Sequence, residues 1–311
     1  MIALDILFYT AGDNAAAWID AVSKALPEAR IHLWSGAPVE SARYALVWKP
    51  PPELVWELGK TKAVFNLGAG VDALANEPKL PRHVPLVRLE DAGMAKQMAE
   101  YVTYAILRRY REFDAYAEQQ SRAVWRPRSR LVKRDFAVGI LGMGVLGCSV
   151  AAALAPFDFA LRGWSRTVKT VAAVESYAGR AGLDAFLGGC RVLVCLLPLT
   201  PDTRGLLNHE TLSRLPQGAY VVNVSRGGLL VEGHLRALID HGHLSGAMLD
   251  VFQDEPLAPT HPFWHHPKIS VTPHVSAVTL IDESVAQIAN KIRRLEAGLP
   301  ITGIVDPQRM Y

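Results

Sequence analysis

The stretch Ala137–Arg166, AVGILGMGVLGCSVAAALAPFDFALRGWSR, decides how the chain is read. It opens on a short apolar run, Ala137–Leu141, and turns through Gly142-Met143-Gly144-Val145-Leu146-Gly147. An Ala-rich segment of helical character follows, then a second apolar run ending at Trp164. That order is strand, glycine turn, helix, strand. The first glycine permits the tight turn, the second lets a pyrophosphate approach the backbone, and the third lets the helix pack on the strand. Free N–H groups and partial positive charge at the helix N-terminus favour the phosphates. A lone G-x-G-x-x-G says little, but one in this setting marks a dinucleotide site.

The end of the second strand bears on which dinucleotide. An NAD site usually has Asp or Glu there, accepting from the ribose hydroxyls. Here the strand ends Gly163-Trp164-Ser165-Arg166-Thr167, with Lys169 close behind and no carboxylate. A hydroxyl and two cations suit a 2′-phosphate, with Arg166 pairing in bidentate fashion. NADP(H) is therefore expected rather than NAD(H).

Upstream, apolar runs at 2–9, 31–34, 45–48, 63–67 and 84–89 read as strands, with helices at 15–26 and 53–59. Strands alternating with helices imply a parallel sheet, so the first ninety or so residues form an α/β unit of their own. One long helix is expected over Met94–Gln119, with Met98, Val102, Ala105 and Ile106 among its apolar positions. Ser121–Arg134, SRAVWRPRSRLVKR, reads as irregular and carries six cationic side chains. Beyond the glycine turn, strands are expected at 192–197, 220–223, 247–250 and 269–271. Helices fit at 184–188, 209–214 and 232–241, and a last helix at 280–297.

The composition bounds the class. The chain has 311 residues, of which 50% are hydrophobic and 20% charged, an ordinary soluble balance with length for about two domains. A net charge of +3 makes no case for nucleic acid or membrane. Cys148, Cys190 and Cys195 lie in apolar surroundings without a C-x-x-C pair, which suits buried thiols in a reducing, cytoplasmic setting. The opening MIALDILFYTAGDN lacks a basic leader region and reads as a first strand rather than a signal peptide. His261, His265 and His266 cluster in THPFWHHPK, but no Cys or second His-rich segment completes a metal set, and no metal is expected.

Three later residues stand out by type and position. Arg226 follows a strand end in NVSRGG, Glu255 lies in DVFQDEP, and His274 lies in VTPHV. Each falls just past the C-terminal end of an expected parallel strand, the edge where open α/β sheets bind ligands. Reduction of a keto acid needs a cation for the carboxylate, a proton donor for the carbonyl oxygen, and a group that tunes that donor.

With these motifs the chain resembles the D-isomer-specific 2-hydroxyacid dehydrogenase family, and within it the NADPH-dependent glyoxylate/hydroxypyruvate reductase A type. The resemblance covers essentially the whole length. It rests on GAGVD (Gly68–Asp72), GMGVLG (Gly142–Gly147), WSRT (Trp164–Thr167), LLPLTPDTRGLLN (Leu196–Asn208), NVSRGG (Asn223–Gly228), DVFQDEP (Asp250–Pro256) and TPHVSAVT (Thr272–Thr279). It implies that Arg226 binds the substrate carboxylate and polarises the keto group, that His274 is the acid/base, and that Glu255 hydrogen-bonds it. It implies further that Ala69 and Gly70 hold the carboxylate through backbone N–H groups and that Trp48 helps line the pocket. Cofactor contacts are implied for Gly142, Gly144, Val145, Leu146, Gly147, Ser165, Arg166, Thr167, Lys169, Leu197, Pro198, Thr203, Val224, Ser225, Asp250 and Ser276.

The resemblance also implies two doubly wound parallel-sheet domains with the active site in the cleft. A flavodoxin-like substrate domain (1–97 plus 281–311) is interrupted by a Rossmann NADP-binding domain (98–280). The 121–134 segment resembles an arm that clasps a second subunit, with Trp125 a contact residue, so a homodimer is implied. The implied reaction is NADPH-dependent reduction of glyoxylate to glycolate and of hydroxypyruvate to D-glycerate. A sibling enzyme for a larger 2-keto acid and a non-enzymatic dinucleotide sensor are the alternatives. Ser225 and Ser276 stand where relatives commonly carry small apolar residues, and Gly93–Gln97 departs from the commoner Asn-containing version.

Overall fold

Two parallel sheets carry the chain. In the computed structural model of the protein, residues 4–306 are described, apart from 13, 38, 40, 69 and 130. The chain divides into two compact units, Met1–Met94 with Thr279–Tyr311, and Ala95–Val278.

The first unit runs β1 (Leu4–Thr10), α1 (Ala15–Ala25), β2 (Ala29–Leu33), β3 (Tyr44–Trp48), α2 (Pro52–Glu57), β4 (Ala63–Asn66), α3 (Asp72–Ala75) and β5 (Leu86–Val87). Its sheet order is β2-β1-β3-β4-β5, the flavodoxin-like order, with every named pairing parallel. The expected strand at 84–89 is only two residues long. Arg88 N–H donates to Gly303 O at 2.9 Å and Val305 N–H to Leu86 O at 2.8 Å, so the C-terminal tail takes over the edge that β5 leaves exposed.

In the second unit α4 (Met94–Tyr110) and α5 (Phe113–Ser121) replace the single expected helix. The break is at Glu112, whose φ of 55° is left-handed. Arg108 Nε reaches Asp114 at 2.6 Å across the bend, a six-residue spacing that a straight helix does not bring together. Tyr110 is held by Phe136 and Phe159, both at 5.1 Å between ring centroids.

Then come β6 (Val138–Leu141), α6 (Val145–Leu154), β7 (Leu161–Ser165), β8 (Val174–Ala178), α7 (Gly179–Leu187), β9 (Val192–Cys195), α8 (His209–Leu212), β10 (Ala219–Asn223), α9 (Glu232–Asp240), β11 (Leu244–Leu249) and β12 (Ile269–Val271). They pair all-parallel in the order β12-β11-β10-β9-β6-β7-β8, a Rossmann arrangement that reverses between β6 and β9. The sequence reading missed β8, an edge strand with no buried residue and hence no apolar run to betray it. Among the described residues no helix is long and apolar enough to cross a membrane.

The glycine turn separates three reasons for glycine. Gly142 has φ 107°, and a Cβ there would sit 2.8 Å from Leu196 O on the neighbouring strand end. Gly147 packs α6 onto β6 so closely that a Cβ would lie 2.0 Å from Gly142 O. Gly144 has φ −83°, open to any residue, and a Cβ there would meet nothing within 4 Å. Among the described residues, neither backbone conformation nor packing requires glycine at 144.

The last helix, α10 (Ile281–Glu296), returns the chain to the first unit. Val285, Ile288, Ala289 and Ile292 bury one face at helical spacing. Its final residue, Glu296, accepts from Arg43 Nε at 2.8 Å, Tyr44 OH at 2.6 Å and Lys62 Nζ at 3.4 Å. Burial alone would raise its carboxyl, but the Arg43 and Tyr44 hydrogen bonds and the charges of Arg43 and Lys62 outweigh it and hold the group at about 2.

Two stability predictions result. Gly147→Ala should destabilise by about 2 kcal/mol or more through overpacking, whereas Gly144→Ala should leave the urea midpoint unchanged; equal losses would refute the division of roles. Glu296→Gln should lower the midpoint at pH 7 by the equivalent of about 1 kcal/mol, a figure discounted for a third-exposed site. Because the folded carboxyl lies below its ordinary value of 4.5, this contribution is full above pH 4.5 and is lost as pH falls toward about 2. Urea titrations across that window should show the wild-type and variant curves converging.

Candidate active site

The three residues singled out by type lie on turns leaving β10, β11 and β12, all at the C-terminal edge of the second sheet. β10 ends on Asn223, which is fully buried. Its Nδ2 donates to Arg226 O at 3.2 Å and its Oδ1 accepts from Ser225 N–H at 3.3 Å, closing the turn that bears Arg226. Arg226 is half-buried, and its Nη1 donates to Ser225 O at 2.7 Å. The Ser225 hydroxyl donates to Leu197 O, a bond that alanine in its place could not make. A Cβ on Gly227 would lie 1.8 Å from the Phe252 carbonyl carbon, so only glycine lets the Arg226 turn rest against the loop after β11.

That loop starts at Asp250, which is fully buried. Asp250 Oδ1 accepts from Thr272 Oγ1 at 2.6 Å and Val275 N–H at 2.8 Å; Oδ2 accepts from Ser276 N–H at 2.8 Å. Its backbone carbonyl accepts from His274 N–H at 2.9 Å. The carboxylate thus faces the turn carrying His274. His274 has φ 56°, left-handed for a non-glycine residue, a strain of order 1 kcal/mol or more that this bonding holds in place. Its Nδ1 meets Glu255 Oε2 at 2.8 Å, and Glu255 Oε1 accepts from Phe252 N–H at 3.0 Å. Both carboxylate oxygens of Glu255 are engaged, and Nε2 is the imidazole nitrogen left for a reacting molecule. The His274 and Glu255 side chains are 42% and 35% exposed, so the pair is accessible.

The same edge carries the dinucleotide motif. The N-cap residue of α6, Gly144, makes no side-chain cap bond, and a Cβ there would meet nothing within 4 Å. At the end of β7, Ser165 is buried and its hydroxyl donates to Thr167 O at 2.7 Å, while Arg166, Thr167 and Lys169 are exposed. Lys169 Nζ donates to Met143 O at 2.7 Å and so folds back over the glycine turn. Thr203 Oγ1 donates to Pro198 O at 2.6 Å and shapes the turn after β9. Leu197, Val224, Asp250 and Ser276, expected along the cofactor, are buried.

In the first unit, Trp48 closes β3 next to the β1/β3 reversal of strand order, where open sheets bind ligands. Its half-exposed ring lies against Gly68, where a Cβ would sit 2.3 Å from Cζ3. Asn66, almost fully buried, donates from Nδ2 to Gly68 O at 2.7 Å and Gly70 O at 3.1 Å, drawing those carbonyls inward. Ala69, expected to bind a carboxylate, lies outside the described residues.

The sequence reading missed Asn66 and Asn223. Each is a polar residue closing an apolar strand just before a glycine-containing turn, and each ties that turn down. That shared pattern was the available signal. Two tempting histidines find ordinary partners: His261 pairs with Glu232 at 3.3 Å and His266 with Asp240 at 3.0 Å.

Comparison with known proteins supplies the family. The sequence profile of the D-isomer specific 2-hydroxyacid dehydrogenase NAD binding domain matches residues 103–276. The chain is similar to a D-isomer specific 2-hydroxyacid dehydrogenase from Xanthobacter autotrophicus Py2 solved with NADPH and MES, at 39% identity and TM-score 0.93 over 99% of this chain and 100% of that one. It is similar to an NADPH-dependent glyoxylate/hydroxypyruvate reductase from Sinorhizobium meliloti solved with NADP and sulfate, at 37% identity and TM-score 0.92 over 99% and 100%. It is also similar to a probable 2-hydroxyacid dehydrogenase from Rhizobium etli CFN 42 solved with NADP, HEPES and L(+)-tartaric acid, at 30% identity and TM-score 0.92 over 99% and 100%. The chain belongs to the D-isomer-specific 2-hydroxyacid dehydrogenase family of oxidoreductases, and its glycine turn lies in that family's NAD-binding domain.

Proposed function

We propose that this enzyme reduces small 2-keto acids with NADPH, glyoxylate to glycolate and hydroxypyruvate to D-glycerate. The observation that carries the reading is the 2.8 Å contact between His274 Nδ1 and Glu255 Oε2, beside the Arg226 turn. A dinucleotide sensor has no need of an accessible imidazole braced by a carboxylate.

The residues at the glycine turn suit the cofactor. Gly144 keeps open the space that a pyrophosphate would fill, and the uncapped α6 N-terminus supplies donors. Arg166, Thr167 and Lys169 would take the 2′-phosphate, because no acidic residue lies between Gly163 and Thr170 to repel it. When bound, the nicotinamide supplies the reducing equivalent. Arg226 binds the substrate carboxylate and polarises the keto group, fixing its orientation. As negative charge grows on the carbonyl oxygen, His274 delivers a proton from Nε2. Glu255 accepts from Nδ1 and fixes the ring's orientation, leaving Nε2 to face the substrate.

Trp48, Ala69 and Gly70 are the first-unit residues that the family resemblance assigns to the substrate. A second copy of the chain is the partner the 121–134 arm suits. Trp125 is 98% exposed there, flanked by exposed Val124 and by Arg122, Arg126 and Arg128.

Initial rates with NADPH and NADH against glyoxylate, hydroxypyruvate, pyruvate and phenylpyruvate test the reading. NADPH should be consumed fastest with the two smaller or hydroxylated acids, and Arg166→Ala should bring NADPH down to the level of NADH. His274→Asn should lower kcat by about 100-fold or more. Tight NADPH binding without turnover on any 2-keto acid would favour the sensor instead.

A further inference from the structure

The turn bearing His274 is held by Asp250 at Thr272, Val275 and Ser276, and one helix reaches both of its ends. At the N-terminal end, Tyr101 OH and Thr272 Oγ1 lie 2.5 Å apart. A threonine hydroxyl has one proton, and Thr272 gives it to Asp250 Oδ1 at 2.6 Å. The proton between Tyr101 and Thr272 must therefore come from the phenol. Burial pushes the Tyr101 phenol up to about 12, so it stays a donor throughout the working range of an enzyme. The order of donation is Tyr101 to Thr272 to Asp250.

At the C-terminal end, Gln97 grips the backbone of Val278 on both sides. Its Nε2 donates to Val278 O at 3.0 Å and its Oε1 accepts from Val278 N–H at 3.1 Å. Gln97 and Tyr101 are four residues apart on α4, one helical turn, and so share a face. The neighbouring positions Met98, Val102, Ala105 and Ile106 anchor α4 in the same hydrophobic core as Val138, Ile140, Val222 and Met248 of the second sheet. The helix that grips the turn is therefore packed on the same sheet whose strands lead into the turns of Arg226 and Glu255.

We propose that Gln97 and Tyr101 are positioning residues for proton transfer: from one face of α4 they fix the two ends of the 272–278 turn and hold His274 in its left-handed backbone conformation against Glu255. The inference rests on the reading of His274 as the proton donor. Asp250 holds Thr272, Val275 and Ser276. Tyr101 orients the Thr272 hydroxyl in that network and Gln97 adds the hold at Val278, and a displaced ring no longer meets the carbonyl oxygen in line. Neither residue touches substrate or cofactor in this account; both act through His274.

The test uses the intact enzyme with NADPH and glyoxylate. Tyr101→Phe and Gln97→Ala are made singly and together, with Thr272→Val to cut the relay and Thr272→Ser to keep it. The double variant should lose about 10- to 100-fold in kcat, with KM for NADPH within about twofold of wild type and a larger solvent deuterium isotope effect on kcat. Thr272→Val should resemble Tyr101→Phe, and Thr272→Ser should restore most of the activity. Thermal unfolding identifies any variant that has simply lost its fold, and Tyr101→Phe, which removes a single oxygen atom, keeps the test open in that case. A double variant that folds and keeps kcat within about twofold, in an enzyme where His274→Asn costs about 100-fold or more, would overturn the inference and leave the active-site reading intact. Full activity in His274→Asn would overturn both.

Discussion

All named strand pairings in both sheets are parallel, and that constraint shapes everything else. Parallel strands require a crossover between each pair, so every strand's C-terminal end opens onto the same edge of its sheet. In the second unit this brings the glycine turn after β6, the cationic turn after β7 and the turns bearing Arg226, Glu255 and His274 to one edge, although they span more than a hundred residues of chain. The price is local: each turn must be tied down without a hairpin partner. Buried polar side chains do this, with Asn223 closing one turn, Asp250 bracing another and Asn66 serving the first unit in the same way.

Much of this is legible in the sequence. The glycine turn could be read because its three glycines answer to different physical demands, and the structure separates them into a positive φ, an open space and a close helix–strand contact. The strand ends carrying Arg226, Glu255 and His274 could be read because residues of those types, just past apolar runs, have few structural reasons to recur together. The family resemblance then supplied roles that spacing alone could not.

What escaped the sequence was set by contacts between distant segments. The break between α4 and α5 depends on Asp114 reaching back to Arg108 and on Tyr110 meeting Phe136 and Phe159, none of which alters the local helical pattern. Strand β8 has no buried face, so no alternation marks it. For Asp250 the resemblance implied a cofactor contact, and that its carboxylate faces the His274 turn is a matter of tertiary packing. Gln97 belonged to a stretch that departs from the commoner family version, and its partner Val278 lies 181 residues away.

An accessible imidazole braced by a carboxylate, a nearby arginine turn and the glycine turn on the same sheet edge make up the proposed reductive site. The configuration of its product tests that claim most directly. Incubation of the enzyme with NADPH and hydroxypyruvate, followed by chiral analysis of the glycerate formed, should show D-glycerate accumulating mole for mole with NADPH consumed. L-glycerate, a racemic product, or no turnover despite bound NADPH would contradict it.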